Sequence, residues 1–116
     1  MRKIYRLTLL LIIISSNFTF AQSKVFDNLT MKSEILNMER NYSVYLPPDY
    51  ETSSRSYPVL YLLHGLGDDH TGWVQFGEVK KIADNSILNG ESTPMIIVMP
   101  DANLNLTLVN AVVVLK

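Results

Sequence analysis

The sequence predicts an α/β fold in which an antiparallel pair of strands precedes a strand–helix–strand unit with parallel strands. Two apolar runs without alternation, residues 58–63 and 95–99, are typical of strands buried on both faces of a parallel sheet. Between the two runs, apolar residues recur at helical spacing, at Val79, Ile82, Ala83, Ile87 and Leu88. Such a strand–helix–strand unit is expected to have a right-handed crossover.

The antiparallel pair is predicted from the segment before the first apolar run. Residues 25–36 favour extended chain weakly, and residues 39–41 favour a polar turn. The next strand alternates, with Tyr42, Val44 and Leu46 on one face and Ser43 and Tyr45 on the other. Two prolines at 47–48 end this strand, because proline has no N–H to donate to the ladder.

Turn residues also mark the boundaries of the strand–helix–strand unit. Asn89 and Gly90 follow the last apolar residue of the predicted helix, and glycine commonly ends a helix in the left-handed conformation. Pro94 comes before the second apolar run, and Pro100 and Asp101 end it. The unit is therefore expected to span about residues 58–101.

Composition excludes several classes of protein. The chain has 116 residues, enough for one small domain, and its 47% apolar and 18% charged residues are typical of a globular protein. A net charge of −1 provides no basic surface, so we expect no nucleic-acid partner. The absence of cysteine excludes a disulfide framework, a thiolate metal site and a cysteine nucleophile.

The N-terminus has the pattern of an export signal. Three basic residues within the first six positions precede an apolar run at 7–14, and small residues precede a cut after Ala21. The apolar run is about half of the ~20 residues that a membrane-spanning helix needs. We therefore expect a cleaved signal peptide at residues 1–21, a periplasmic or secreted protein, and no stable membrane span after cleavage. The alternative is an uncleaved N-terminal membrane anchor.

The loop at residues 64–70 has four interpretations on spacing alone. A metal site of the H-x-H-x-D-H type would need histidines where Gly65 and Gly67 stand, and a phosphate loop would need a Gly-Lys-Ser/Thr that is absent. The backbone N–H of Leu66 could instead stabilise an oxyanion, because ligands bind beyond the carboxyl ends of the strands in such sheets. The fourth interpretation is a tight turn whose glycines permit positive φ. Spacing alone favours the oxyanion site and the tight turn about equally.

Four stretches in one order carry a family resemblance: RNYSVYLPPDY at 40–50, YPVLYLLHG at 57–65, Trp73, and PMIIVMPD at 94–101. Together they resemble the esterase group of α/β-hydrolases, which includes feruloyl and acetyl-xylan esterases, formylglutathione hydrolases and mycolyltransferases. The resemblance covers about residues 35–103. It implies the N-terminal part of an α/β-hydrolase fold, incomplete here, from a serine carboxylesterase that needs no cofactor and no metal.

The resemblance also implies roles for residues of the loop. Leu66 matches the position that supplies one oxyanion-hole N–H. Three more residues are expected at the substrate: Gly65, Trp73 and Asp101. Asp101 has the alternative of capping the end of its strand. Trp73 has a structural alternative, which is to pack the loop onto the first helix. His64 matches a hydrogen-bonded turn residue rather than the catalytic histidine, and the resemblance assigns no role to His70.

The sequence departs from the family pattern in two places. It contains no G-x-S-x-G; the nearest match is GESTP at 90–94, where Ser92 follows a helix and precedes a strand, the reverse of a nucleophile elbow. The triad acid and histidine are not found either, and the apolar tail at 104–116 has no family counterpart. We therefore expect a truncated esterase domain at 22–103, followed by a divergent tail.

These observations favour an exported serine carboxylesterase of the feruloyl or acetyl esterase type, acting on esters linked to polysaccharides, in a truncated form without its nucleophile. One alternative is a non-catalytic carbohydrate-binding relic that uses Trp73, Tyr50 and Tyr57. Another is a fragment of a peptidase with the same fold, since the residues present do not distinguish ester from amide substrates.

Overall fold

A mixed four-stranded sheet with a helix against one face forms the part of the chain that the computed structural model describes, residues 21–101. In chain order the elements are β1 (Lys24–Ser33), β2 (Met38–Leu46), β3 (Val59–Tyr61), α1 (Gly72–Gln75), α2 (Val79–Leu88) and β4 (Ile96–Pro100). Within these residues no helix has the length and hydropathy to cross a bilayer. The predicted apolar tail and all but the last residue of the predicted signal peptide lie outside the described residues.

The strand order is β1-β2-β4-β3, and the pairing confirms the predicted architecture. β1 and β2 are antiparallel, β2 and β4 are antiparallel, and β3 lies parallel to β4 with Val59 opposite Ile96. Parallel strands need a long connection between them, and here the connection contains α2. The carboxyl ends of β3 and β4 consequently lie at the same edge of the sheet.

The predicted polar turn at residues 39–41 is wrong, because these residues lie inside β2. The turn between β1 and β2 falls instead at residues 34–37, where Asn37 has a φ of 48°. Asparagine tolerates this left-handed conformation better than most residues do. Charged residues in an exposed hairpin can pair across it, as Lys32 and Glu39 do by register, so polarity alone did not mark a turn.

The β1–β2 hairpin extends beyond the rest of the sheet. The last pair between β2 and β4 joins Tyr42 to Pro100, whereas β1 and β2 continue with four more pairs, from Thr30–Asn41 to Ser33–Met38. We call residues 30–41 the hairpin arm. Because β2 is antiparallel to β4, the arm projects past the carboxyl ends of β3 and β4.

A small core lies between the sheet and α2. Tyr45, Ile97 and Met99 pack from the strands against Val79 of the helix, and each is at least 94% buried. Ser43, on the same face as Tyr45, is fully buried and donates a hydrogen bond to the Asp27 carbonyl at 3.1 Å. That carbonyl belongs to the bulge at which the β1–β2 register shifts. The buried Ser43 hydroxyl thus provides a hydrogen-bond donor to a backbone carbonyl that lies outside the regular strand pairing.

The carboxylate of Asp84 on α2 connects three parts of the chain. It accepts hydrogen bonds from Tyr45 Oη on β2 at 2.8 Å, from Ser23 Oγ before β1 at 2.8 Å, and from Lys80 Nζ at 2.7 Å. Partial burial by itself would raise the pKa of Asp84, but the hydrogen bonds outweigh it and lower the pKa. Burial and the hydrogen bond to Asp84 raise the pKa of the Tyr45 hydroxyl.

The helix α2 ends where Asn89 and Gly90 predicted that it would. Gly90 has a φ of +71° and donates its N–H to the Ile87 carbonyl at 3.1 Å. The N–H of Glu91 donates to the Ser86 carbonyl at 2.9 Å, which completes the hydrogen-bond pair of a Schellman motif. Glycine at this position relieves the steric cost of the left-handed conformation.

Residues 58–63 were predicted to form a strand that is buried on both faces. The strand is present, but the predicted burial is wrong. β3 comprises only residues 59–61, and all three of its side chains are exposed. Within residues 21–101, β4 is the sole neighbour of β3 in the sheet, and α2 covers only one side. A continuous apolar run predicts a strand, but its burial depends on the elements that surround it.

Removing the Tyr45 hydroxyl should weaken the attachment of α2 to the sheet. Tyr45→Phe is expected to lower the free energy of unfolding by about 1–2 kcal/mol, because Asp84 loses a buried donor. Tyr42→Phe on the same strand is the matched control, since its hydroxyl makes no hydrogen bond within residues 21–101, and should change stability by less than about 0.5 kcal/mol. Equal effects in urea titrations would contradict this role for Tyr45.

Stability should also depend on the charge of Asp84. Its folded-state pKa is lowered, so the stabilisation is present above the unfolded-state pKa of about 3.9 and is lost as pH falls through the folded-state pKa. Urea midpoints measured from about pH 5 to 2 should therefore fall less steeply for Asp84→Asn than for the unsubstituted chain. Parallel curves would show that the Asp84 carboxylate does not contribute.

Candidate functional site

The loop that follows β3 lies at the carboxyl edge of the sheet. The Leu62 N–H still donates to the Val98 carbonyl of β4 at 2.9 Å, after which the chain leaves the ladder. At the end of the neighbouring strand, the Asp101 N–H donates to the Asn41 carbonyl of the hairpin arm at 2.9 Å. The residues after β3 and after β4 are thereby held side by side, at the edge where open α/β sheets bind ligands.

Leu66 occupies the centre of a tight turn within this loop. The Asp68 N–H donates to the Gly65 carbonyl at 3.3 Å, and Gly67 has a φ of +82°, as the third position of a type II turn requires. Leu66 is 87% exposed, and within residues 21–101 its N–H donates to no protein acceptor. The turn therefore presents a backbone donor to solvent at the carboxyl edge.

Two aspartates after the turn bind backbone and hydroxyl groups of the same loop. The Asp69 carboxylate accepts from the Thr71 N–H at 2.7 Å and from Thr71 Oγ1 at 2.6 Å, and these bonds lower the pKa of Asp69. Asp68 accepts from the Asp69 N–H at 2.9 Å. Its carboxylate also packs against buried Gly72, where any Cβ would collide with it. The start of α1 is fixed by these short contacts.

Trp73 joins α1 to the loop. Its indole Nε1 donates to the Leu63 carbonyl at 2.9 Å, and its ring packs on Gly77, where a Cβ would lie 2.5 Å from the ring. These contacts match the packing role that the sequence allowed for Trp73. The ring also lines an apolar groove of about 240 Å³ between α2 and the sheet, together with Leu62 and Ile82. A contact between Trp73 and a substrate stays a prediction.

His64 and Asp101 face each other across the ends of β3 and β4. His64 Nδ1 lies 2.8 Å from the Gly65 carbonyl, which agrees with the predicted hydrogen-bonded turn residue. Nε2 of the same ring lies 3.7 Å from Asp101 Oδ1, and the two side chains are 2% and 18% exposed. This pair was not predicted from the sequence. The signal was available, because residues that follow adjacent parallel strands emerge at the same edge.

His70 is buried within the loop. Only 7% of it is exposed, and neither ring nitrogen has a hydrogen-bond partner within residues 21–101. In the same part of the chain, no group of three or more histidine and carboxylate side chains could hold a metal ion.

Other candidate residues lie at the opposite edge of the sheet. Ser92 precedes β4 and donates to the Thr93 carbonyl at 3.2 Å, whereas the turn containing Leu66 follows β3. Tyr50 and Tyr57 pack with ring centroids 5.6 Å apart, and Arg55 lies 4.8 Å from the centre of the Tyr57 ring. Tyr57 comes before β3, whereas Trp73 is hydrogen-bonded to Leu63, which follows β3. The structure therefore does not bring these aromatic residues together.

The family model described as "Putative esterase" matches residues 33–105. Residues of the chain are also 39% identical, over 75 residues, to an endo-1,4-beta-xylanase/feruloyl esterase from Xylanibacter ruminicola. That alignment covers 61% of this chain and 10% of the relative.

Two solved structures resemble the fold. A ferulic acid esterase superposes with a TM-score of 0.68 and 42% identity, over 72% of this chain and 31% of that one. A ferulic acid esterase from Anaeromyces mucronatus, in complex with ferulic acid, gives a TM-score of 0.58 and 30% identity, over 74% of this chain and 30% of that one. The chain thus spans less than a third of the length of each of these proteins.

The turn around Leu66 should depend on Gly67 and not on Gly65. Both glycines have open space where a Cβ would lie, but only Gly67 has a positive φ. Gly67→Ala is therefore expected to lower the free energy of unfolding by about 1–2 kcal/mol, and Gly65→Ala to change it by less than about 0.5 kcal/mol. Chemical denaturation of both variants measures the difference. A cost for Gly65→Ala equal to that for Gly67→Ala would contradict the turn assignment.

Proposed function

The chain belongs to the esterase family whose model it matches, and we propose that it forms the oxyanion-binding edge of an exported serine carboxylesterase that acts on polysaccharide-linked feruloyl or acetyl esters. One observation carries the proposal. Within residues 21–101 the Leu66 N–H has no protein acceptor, and it lies just beyond a parallel strand, at the edge where open α/β sheets bind ligands.

The proposed chemistry is acyl transfer. Attack on an ester carbonyl converts its oxygen into an alkoxide, and a preorganised N–H stabilises that charge more than it stabilises the neutral carbonyl. Leu66 would donate one such hydrogen bond. In an intact esterase of this type, a serine attacks and a histidine transfers the proton. The sequence has no G-x-S-x-G, so we propose that these 116 residues alone do not complete a catalytic cycle.

The substrate class and the location are supported by different observations. Relatives named as feruloyl esterases support an aromatic acyl ester, and one of them is also named as a xylanase, which supports a polysaccharide carrier. The basic residues and apolar run before Ala21 support export. The carbohydrate-binding alternative has less support, because the aromatic residues that it needs lie at opposite edges of the sheet.

The first prediction of this proposal concerns residues 22–116 by themselves. They should hydrolyse p-nitrophenyl acetate and methyl ferulate no faster than buffer does, with no initial burst of nitrophenol, because no activated serine is present. The absorbance of released nitrophenol measures both quantities. A stoichiometric burst would reveal a nucleophile and overturn this part of the proposal.

The second prediction tests Leu66 in a chimera. Residues 22–101 would replace the matching segment of the ferulic acid esterase that is 42% identical, which supplies the rest of the domain. Leu66→Pro removes the N–H and should lower kcat on methyl ferulate by about 10²–10³-fold with little change in KM. Leu66→Ala keeps the N–H and is the matched control, expected to stay within a few-fold of the parent chimera.

The two variants separate the possible failures. If Leu66→Ala loses as much activity as Leu66→Pro, the side chain rather than the amide matters, and the oxyanion role is wrong. An active parent chimera that hydrolyses anilides faster than esters would favour the peptidase alternative instead. Circular dichroism of Leu66→Pro checks that the chimera remains folded.

A further inference from the structure

The first anchored residue of the described chain is Ser23. It is only 6% exposed, and its hydroxyl donates to Asp84 at 2.8 Å. Ala21 and Gln22, the two residues before it, are exposed and precede the first strand. The polypeptide is therefore exposed to solvent at residues 21 and 22 and is attached to α2 from residue 23.

This change limits where the export signal can be removed without loss of structure. A cut after Ser23 would remove the hydroxyl that bonds to Asp84. A cut after Ala21, the position indicated by the small residues before it, leaves Ser23 in place. Exposed chain without secondary structure is also where proteases cut. After this cut, the first residue is Gln22.

An N-terminal glutamine carries both partners of a cyclisation reaction. The neutral α-amine attacks the side-chain amide carbon, a new N–Cδ bond closes a five-membered lactam, and the Cδ–Nε2 bond breaks. The side-chain nitrogen takes up the proton that the amine loses and leaves as ammonia. The reaction is intramolecular and needs no other reactant. We propose that Gln22 is a modification site and becomes the pyroglutamate N-terminus of the exported chain.

The surroundings of Gln22 are compatible with the ring. Within residues 21–101 its side-chain amide makes no hydrogen bond, so no protein contact holds it away from the backbone. Gln22 borders a shallow cleft with Pro47 and Tyr50. Lys24 and Glu51 border the same cleft and form an ion pair, with Nζ 2.6 Å from Oε1. Because the lactam is neutral, cyclisation places no further charge beside this pair.

The ring would also protect the Ser23 contact. Aminopeptidases require a free α-amine, and removal of two residues from a Gln22 terminus would delete the donor to Asp84. A lactam blocks the first of these steps. The modification would therefore preserve the attachment of the N-terminus to α2 in a protease-rich exterior.

The experiment uses the full 116-residue chain, expressed with its own N-terminus in an exporting bacterial host and recovered from the periplasm or medium. Digestion with a protease that cuts after glutamate releases the peptide 22–34 for mass spectrometry. Its mass should be lower by one ammonia than that of the unmodified peptide. N-terminal sequencing should be blocked until pyroglutamyl aminopeptidase removes the ring, after which Ser23 should be read first.

Gln22→Asn is the matched control, because its side chain is one methylene shorter and its α-amine cannot close a five-membered lactam on it. It should give a peptide of unmodified mass with a free amine. A wild-type peptide that starts at Gln22 with its amine free would overturn the proposal. So would a terminus at Met1 or at any residue other than 22. This proposal rests on the export step of the proposed function, so a terminus at Met1 would contradict both. A Gln22 terminus with a free amine would contradict the cyclisation alone, and none of these results depends on esterase activity.

Discussion

The parallel alignment of β3 with β4 is the constraint on which the rest of the structure depends. Their hydrogen bonds, from Ile96 N–H to the Pro58 carbonyl through Leu62 N–H to the Val98 carbonyl, place both carboxyl ends at one edge. The alignment also requires a crossover, which supplies α2 and hence the apolar core beneath the sheet. The loop, the Asp101 backbone and the helix all take their positions from this single pairing.

Hydrogen bonds between residues close in sequence fix most of the loop that follows β3. The bonds from Thr71 to Asp69, from Trp73 to Leu63 and within the Gly65–Asp68 turn all join residues no more than ten positions apart. Such a loop loses little entropy on closing, so its shape is set largely by its own sequence. A donor held this way needs little reorganisation when charge develops on a ligand, which is the property that an oxyanion site requires.

The sequence predicted what depends on pattern and local chemistry. Helical spacing of apolar residues predicted α2, Gly90 predicted where the helix ends, and the two apolar runs predicted the parallel strands β3 and β4. It did not predict the hairpin turn at 34–37, because exposed strands with cross-strand charge pairs are as polar as turns. Nor could it predict the exposure of β3 or the burial of His70. Both depend on which other elements lie nearby, and no spacing rule encodes that.

The hairpin arm gives the carboxyl edge two unlike flanks. Residues 38–41 reach about 13 Å beyond the last pair with β4 at ~3.3 Å per residue, and Ile35 at the tip is 96% exposed. On the other flank, β3 is the edge strand of the sheet within residues 21–101. A long, stiff polymer that crossed this edge would meet the hairpin arm on the side of β1 and β2. The arm would thus limit the paths along which such a polymer can reach the ends of β3 and β4.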